Sequence, residues 1–565
     1  MRVAIVGGGA AGVLAAIHLR RSKADAQITL IDASGRPGTG AAYGTDDPTH
    51  LLNVPAQRMS AWPDDPDHFC RWLDERAVTP VESFAPRLAY GRYLRDQLIV
   101  ADVRIETAEV VGLTPGAPVR LALNDERWLS ADAVVLASGR PPAGMPESLE
   151  RAFAPVLAAG IDGRVVLDPW APGALAALGA RRPTSVLVIG SGLTGVDVAL
   201  HLISRGASVT LLSRHGALPR RFRVTGAPTD LPNLDALAGE VSLEQLRTAL
   251  AADLVHARVA GVDWRQVIDA VRPRTAWLWR SLGWEDQRRC LREDLRQWEV
   301  LRHRMPPTIA DAVYAAIDSG ELSIEAGEVA DVSLRGKRVE LVVTTSDRSV
   351  RRRGDAVVVA TGAAWDRRSL QRSALWADLL ATDVASLHPC GVGVRLNAEG
   401  YLIDGAGNTV PNVVCLGSIR QGEVWETTAI PEIRAQAAAI AELLADDTRD
   451  RPVRAPRLIT TAPELSGAAA SYAEGVRRLL AVQIHRRRPV QRHVRRVQRP
   501  RIGRQHRRRR RVVHARQLPF DGAVLRRRSA ATAGRPRERR CWRWPRRWLH
   551  GLASSMRRRE PTTAT

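Results

Sequence analysis

The chain of 565 residues is poor in lysine, in paired cysteines and in long apolar runs. Lysine occurs only at Lys23 and Lys337, against 81 arginines. With abundant alanine, that bias reads as a GC-rich coding sequence rather than a functional demand for arginine. Five cysteines (Cys70, Cys290, Cys390, Cys415, Cys541) are scattered, and no two stand at C-x-x-C spacing. A disulfide scaffold, a zinc site and a dithiol redox centre therefore lack support, no metal is expected, and a reducing cytoplasm fits best. No apolar stretch reaches the length that spans a bilayer, so no membrane partner is expected. The opening MRVAIVGGGAAGVLAAIHLRR has the charge and apolar run of a secretory leader. Its glycines, however, fall at the spacing of a nucleotide-binding turn, which argues against that reading.

The formal net charge of +23 suggests nucleic-acid binding until it is located. Residues 481–565 hold 28 arginines against three acids (Asp521, Glu538, Glu560), whereas residues 1–480 carry 55 basic and 57 acidic side chains. The body is nearly neutral and the basicity belongs to the tail. That tail has three readings. Trp542, Trp544 and Trp548 among arginines suit a nucleic-acid arm. A membrane-surface segment needs an amphipathic spacing that Pro500, Pro519 and Pro545 interrupt. The third reading is a reading frame shifted somewhere in 450–485, where periodicity ends abruptly, and it fits best. From 448 onward a linker and a disordered basic tail are expected, because the segment cannot bury enough apolar surface to offset the entropy of ordering. Nucleic acid is expected to engage, if at all, through this tail.

What is present is periodicity. Residues 2–6 (RVAIV) read as a buried strand, 7–12 as a turn, 10–21 as a helix and 27–32 (QITLID) as the next strand. The pattern recurs with SVLVI at 185–189, a glycine turn at 190–195, a helix over 194–205 and SVTLLS at 208–213. Two further strands end in small residues, at Ala137-Ser138-Gly139 and Ala360-Thr361-Gly362. Residues 240–320 read as helical and rich in Trp and Arg; 413–417 is a last short strand and 429–445 a last helix. One dinucleotide fold opens, a second is inserted, and the chain returns to the first. The expected segments are 1–150 for the first part of an FAD-binding domain, 180–350 for an NAD(P)-binding domain with a helical insertion, 351–447 for the return, and 448–565 for linker and tail. The fold class is α/β, a two-dinucleotide-binding-domain flavoprotein with two nested Rossmann-like folds.

Each glycine has a physical task in the first turn, Gly7-x-Gly9-x-x-Gly12. Gly7 allows the tight bend, Gly9 lets the backbone approach a pyrophosphate, and Gly12 lets helix and strand pack closely. Asp32, twenty residues on, is placed to accept a ribose hydroxyl, which favours FAD. In the second turn, Gly190-x-Gly192-x-x-Gly195, the following strand ends Ser213-Arg214-His215 instead of in an acid. A carboxylate there would repel a 2′-phosphate, whereas Arg214 can pair with one, so NADPH is favoured over NADH.

Longer stretches resemble a known family. GTGAAYGTDDPTHLLNVPAQRMSAWPDDPDHFCRWL (38–73), PRLAYGRYL (86–94), DPW (168–170), GSGLTGVDVAL (190–200), RHRMPP (302–307) and LGSIRQGEVWETTAIPEIRAQA (416–437) look like the FAD/NAD(P)-binding family. That family includes FAD-dependent urate hydroxylase and flavin-dependent L-aspartate N-monooxygenase. The resemblance covers residues 1–445. It implies an FAD-bound, NAD(P)H-using oxidoreductase, a monooxygenase that takes O₂ and hydroxylates a small nitrogen-containing substrate through a flavin C4a-hydroperoxide. Oxygen and a small molecule are then the partners. The match of LLNVPAQRMSA to the family pattern puts Asn53, Arg58 and Met59 at the flavin edge, with core packing the competing role for Met59. The chain departs from many flavoproteins in having no acid after the late glycine, at Gly417-Ser418. The rivals are an NAD(P)H:acceptor reductase and a flavin-binding protein without turnover. In the insertion, Trp264, Trp277, Trp279, Trp284 and Trp298 lie among Arg272, Arg274 and Arg280. An aromatic core with stacked arginines is favoured there over an anion pocket.

Overall fold

The computed structural model describes residues 1–446 apart from 142–143, 161–162 and 363–364; the expected linker and tail from 448 onward lie outside the described residues. The chain opens with β1 (Arg2–Val6), α1 (Ala10–Ser22) and β2 (Gln27–Ile31), then continues through α2 (Arg87–Val100), β3 (Arg104–Glu106) and β4 (Ala133–Leu136). A second set follows: β5 (Val165–Val166), β6 (Ser185–Ile189), α3 (Leu193–Ile203) and β7 (Ser208–Ser213). Helices then fill most of 232–318, among them α4 (Leu295–Arg302), before β8 (Leu322–Ala326) and β9 (Ala356–Val359). The chain ends with β10 (Tyr401–Ile403), β11 (Thr409–Cys415) and α5 (Ile430–Ala445).

Two open sheets result. The first has the order β10-β11-β4-β1-β2-β3, parallel except for β10; the second has the order β8-β7-β6-β9-β5 and is parallel throughout. The central strands are short apolar runs covered on both faces, as parallel sheets require: AVVL of β4 and AVVV of β9 are buried at every position. Each copy also carries a three-stranded antiparallel meander at the same point of its topology. Residues 110–131 form one between β3 and β4, and residues 328–354 form the other between β8 and β9.

The second fold extends beyond the expected segment at both ends. β5 pairs with β9, and β9 lies between β6 and β5, so residues 165–166 and 356–359 belong to the second sheet and the return to the first begins only after them. An apolar run ending in small residues looks the same whichever of two sheets receives it, and only pairing decides. Return is completed by β11 against β4 and by α5, which shares one buried core with α1 and α2.

The copies match residue for residue at the turn. Val6 stands opposite Ile31 and Leu136, and Ile189 opposite Leu212 and Val359. Gly7 N donates to Ile31 O (2.9 Å) as Gly190 N does to Leu212 O (2.7 Å). Gly7 and Gly190 have φ of +108° and +117°. A Cβ on either would lie 2.4 or 2.2 Å from the carbonyl oxygen of Ala137 or Ala360, and one on Gly12 or Gly195 would lie 1.8 or 2.1 Å from the oxygen of Gly7 or Gly190. No side chain fits at these four positions. We therefore expect Gly12→Ala or Gly195→Ala to destabilise the protein by about 3 kcal/mol, read as a fall in apparent melting temperature. Gly9→Ala, whose Cβ meets nothing nearer than Gly40 Cα at 3.9 Å, should leave that temperature unchanged.

Candidate nucleotide-binding sites

The middle glycines behave differently from their neighbours. Gly9 and Gly192 are the residues at which α1 and α3 begin, and no side chain caps either helix. The first N–H groups of each helix are therefore free of side-chain partners, with the positive end of the helix dipole behind them. The space a Cβ would occupy at Gly9 is open, and at Gly192 the nearest atom is Arg296 Nη1, 3.8 Å away. Both turns thus fit a diphosphate.

The flanking residues differ between the copies. Asp32 is half-buried. Its Oδ2 accepts from Ser34 Oγ (2.6 Å) and Arg36 N (3.0 Å), while Oδ1 has no protein hydrogen bond among the described residues. That oxygen suits a ribose hydroxyl. By register, the position equivalent to Asp32 is Ser213. Ser191 Oγ lies 2.7 Å from Ser213 Oγ and 2.6 Å from Ala217 O. Arg214 follows, exposed and without an ion pair among the described residues.

Arg296 on α4 is the residue that sequence inspection missed. Its Nη2 donates to Ser191 Oγ (3.1 Å) and Ala217 O (2.7 Å), so a guanidinium is parked beside the second glycine turn. Glu299, 3.5 Å from Arg296, has its carboxyl pushed up by burial despite the opposing pull of Arg296 and Arg214. Nothing in the local sequence separates Arg296 from its arginine-rich neighbours; one turn of helix and a tertiary contact select it.

The three expected flavin-edge residues occupy different environments. Met59 is 2% exposed and belongs to the first core, which α1 also lines. Arg58 is exposed at the end of a short turn. Asn53 is half-buried rather than enclosed, and its amide has no protein hydrogen bond among the described residues. At the late corner, Gly417 adopts φ +81°, with its Cβ position 3.1 Å from Ala11 Cβ at the start of α1. In place of an acid, Thr427 Oγ1 donates to Gly417 O (2.7 Å) and Gly417 N to Gln436 Oε1 (3.2 Å). The following helix α5 also begins without a side-chain cap.

A polar hub joins the two folds. Arg87 donates to Asp197 on α3 (2.6 Å) and to Leu51 O (3.0 Å), with its guanidinium 5.5 Å from the Trp170 ring. Asp197 is 6% exposed, and burial raises its carboxyl pKa even with Arg87 beside it. Trp170 N donates to Asp168 Oδ1 (2.9 Å), which faces Arg140. Burial pushes the nearby His50 imidazole down to about 4.

The insertion is a helical layer with its own core. Trp264 lies 4.5 Å from the Arg265 and 5.3 Å from the Arg304 guanidinium, while Trp279 is buried and donates to Gly422 O (2.6 Å). Arg272 pairs with Glu432 (2.5 Å), Arg274 with Asp235 (2.5 Å) and Arg302 with Glu426 (3.3 Å). Of the three arginines first considered for an anion pocket, Arg280 lines a cleft of about 380 Å³, with Trp284, Gln287, Arg395 and Glu423.

Two sheets with uncapped, glycine-lined helix starts define an oxidoreductase of the two-dinucleotide-fold class. Residues 4–141 match the FAD-NAD(P)-binding family model, and residues 185–375 match that of glucose inhibited division protein A. No curated protein matches the chain in sequence. The fold is shared with the reduced form of ornithine hydroxylase from Pseudomonas aeruginosa, at TM-score 0.53 and 17% identity over 79% of this chain and 98% of that one. It is also shared with the ornithine N-hydroxylase of Kutzneria sp. 744, at TM-score 0.50 and 13% identity over 78% and 98%. At these identities the likeness is one of fold. These matches support an FAD/NAD(P)-binding flavoprotein, with FAD and NAD(P)H as cofactors. Among the described residues no helix is long and apolar enough to cross a membrane.

The hub generates a stability prediction. Arg87→Ala strands Asp197 without its partner in a buried site and should cost about 3 kcal/mol. Arg87→Met combined with Asp197→Leu should recover most of the loss. Thermal unfolding of the full chain with saturating FAD measures both.

Proposed function

We propose that this protein is an NADPH-dependent flavin monooxygenase that hydroxylates a small polar nitrogen-containing molecule. The observation that carries this reading is the difference between two otherwise equivalent cradles: Asp32 in the first, Ser213 followed by Arg214 in the second. Gly7, Gly9, Gly12 and Asp32 then hold FAD, the carboxylate accepting from a ribose hydroxyl. Gly190, Gly192, Gly195 and Arg214 hold NADPH, the guanidinium pairing with the 2′-phosphate, while Arg296 faces the diphosphate.

Bound together, these cofactors supply hydride transfer to the flavin and oxygen activation by its reduced ring. The chain's own residues bind, orient and exclude water. Asn53 offers an amide with both donor and acceptor capacity at the flavin edge, Met59 supports that segment from the core, and Arg58 stays at its rim. The Arg87–Asp197 pair fixes one fold against the other and so sets the approach of nicotinamide to flavin. The cleft lined by Arg280, Trp284, Gln287, Arg395 and Glu423 offers charges of both signs to a small polar substrate.

Two features support oxygen as the electron acceptor. No C-x-x-C pair stands in the sequence to receive electrons, and Cys70, Cys290, Cys390 and Cys415 are all free. Free thiols also suit a cytoplasmic setting. In addition, two ornithine hydroxylases are built on this fold, although fold alone does not fix chemistry.

Arg214→Ala should raise KM for NADPH about tenfold (about 1.4 kcal/mol) and leave NADH unaffected, whereas Arg296→Ala should raise KM for both. Steady-state kinetics with the two nicotinamides measures this, and equal losses for Arg214→Ala would remove the case for the phosphate contact. The reaction class is decided by mixing the protein with NADPH, O₂ and a panel of small amines and amino acids. Hydroxylated product matching NADPH consumed supports oxygen transfer. Peroxide alone with every amine points to an NAD(P)H:acceptor reductase, and absence of NADPH consumption to a flavin-binding protein without turnover.

A further inference from the structure

Side chains from two segments distant in sequence meet between the two folds: Asp47 and His50 from the loop after β2, and His201 from α3. One donor atom from each lies within 4.8 Å of the others. His50 and His201 are 2% and 8% exposed, and the Nε2 of each is buried without a hydrogen-bond partner. A buried polar atom left unmet costs about 1–3 kcal/mol, and both of these belong to one cluster.

The proton positions follow from the partners. His201 Nδ1 lies 2.6 Å from Asp47 Oδ2. An ionised carboxylate only accepts, so Nδ1 carries a proton in the metal-free protein, which an ion held by Nδ1 and Oδ2 would displace, while Nε2 is unengaged. His50 Nδ1 lies 2.7 Å from Thr45 Oγ1, which again leaves Nε2 as the unengaged end. Asp47 Oδ1 is fixed by Thr49 N (2.9 Å) and Thr49 Oγ1 (2.6 Å), which orients Oδ2 toward the histidines. The two rings stand 6.0 Å apart, centre to centre, at 39°, and His50 Nε2 is 3.9 Å from Asp47 Oδ2. Metal–ligand bonds of about 2.0–2.2 Å in a tetrahedral shell hold donors about 3.3–3.6 Å apart, so side-chain shifts of about 1 Å close the set.

We propose that Asp47, His50 and His201 form a site for a divalent transition-metal ion of the zinc or cobalt type, stapling the 47–50 loop of the first fold to α3 of the second. Two imidazoles and one carboxylate select such an ion over Mg²⁺ or Ca²⁺, which prefer an all-oxygen shell. Two cations stand nearby. Arg87 is paired with Asp197, while Arg205 donates to His201 O (3.0 Å) with Nη1 3.2 Å from His201 Nδ1. Their charge lowers the affinity for a dication, and buried water at the two histidines is the competing occupant.

The test uses the full chain with saturating FAD and no histidine tag, stripped with EDTA, dialysed against Co²⁺ and desalted. Wild type should retain one more Co²⁺ per chain than the His50→Gln/His201→Gln double variant, a difference that cancels any ion held by histidines elsewhere. Equal Co²⁺ contents overturn the proposal and leave water as the occupant. Should the double variant fail to fold, the wild type decides alone. A melting temperature raised by one equivalent of Co²⁺ but not of Mg²⁺ supports the site, and no change with either ion overturns it.

Discussion

The structure depends on a contact too close for any side chain. In each copy the third glycine of the turn lies against the carbonyl of the first, and the first lies against the carbonyl of a small residue ending the adjacent strand. These approaches set the start of a helix against the end of its strand, which points unbonded N–H groups into the crevice where strand order reverses. The proposed phosphate binding follows from that placement, and the proposed cofactor choice from the residues beside it. The same geometry is built twice, 183 residues apart along the chain, with the same backbone hydrogen bonds at the same register.

Because the cradles are equivalent, the differences between them are informative. The position that carries a carboxylate in the first fold carries a hydroxyl in the second, and an exposed guanidinium follows it. The insertion after β7 adds α4, and α4 brings Arg296 to the second turn alone. The insertion is also tied back to the first fold: Arg272 reaches Glu432 on α5, and Arg302 reaches Glu426 just before it. On the proposed reading, one cradle takes a nucleotide with a diol ribose and the other a nucleotide bearing an extra phosphate.

Much of the fold was legible in the sequence because its signals are local. Strand, glycine turn, helix and strand follow within about thirty residues, and each glycine has a steric reason to be where it is. The limits of the second fold were less legible. β5 has two residues and β9 four, and their sheet membership is decided by pairing across almost 200 residues. The site shows the same division. Gly7, Gly9, Gly12 and Asp32 lie where their spacing places them, whereas Arg296 is one of many arginines until the chain folds. Asp197 stands in the sequence as an acid within the otherwise apolar GVDVAL. Its meaning depends on Arg87, which is distant in sequence. The aspartate and histidines at 47, 50 and 201 carry no metal-binding spacing, because two of the three come from the first fold and the third from the second.

The central claim is that two cradles of one geometry hold two different nucleotides. The most direct measurement is a paired titration of the purified chain, with FAD followed by visible absorbance and NADP⁺ then added by calorimetry to the flavin-loaded protein. One FAD and one NADP⁺ per chain are predicted, with Asp32→Asn weakening only the first and Arg214→Ala only the second. A colourless protein after saturation with FAD, or NADP⁺ competing with FAD for a single site, would contradict the account.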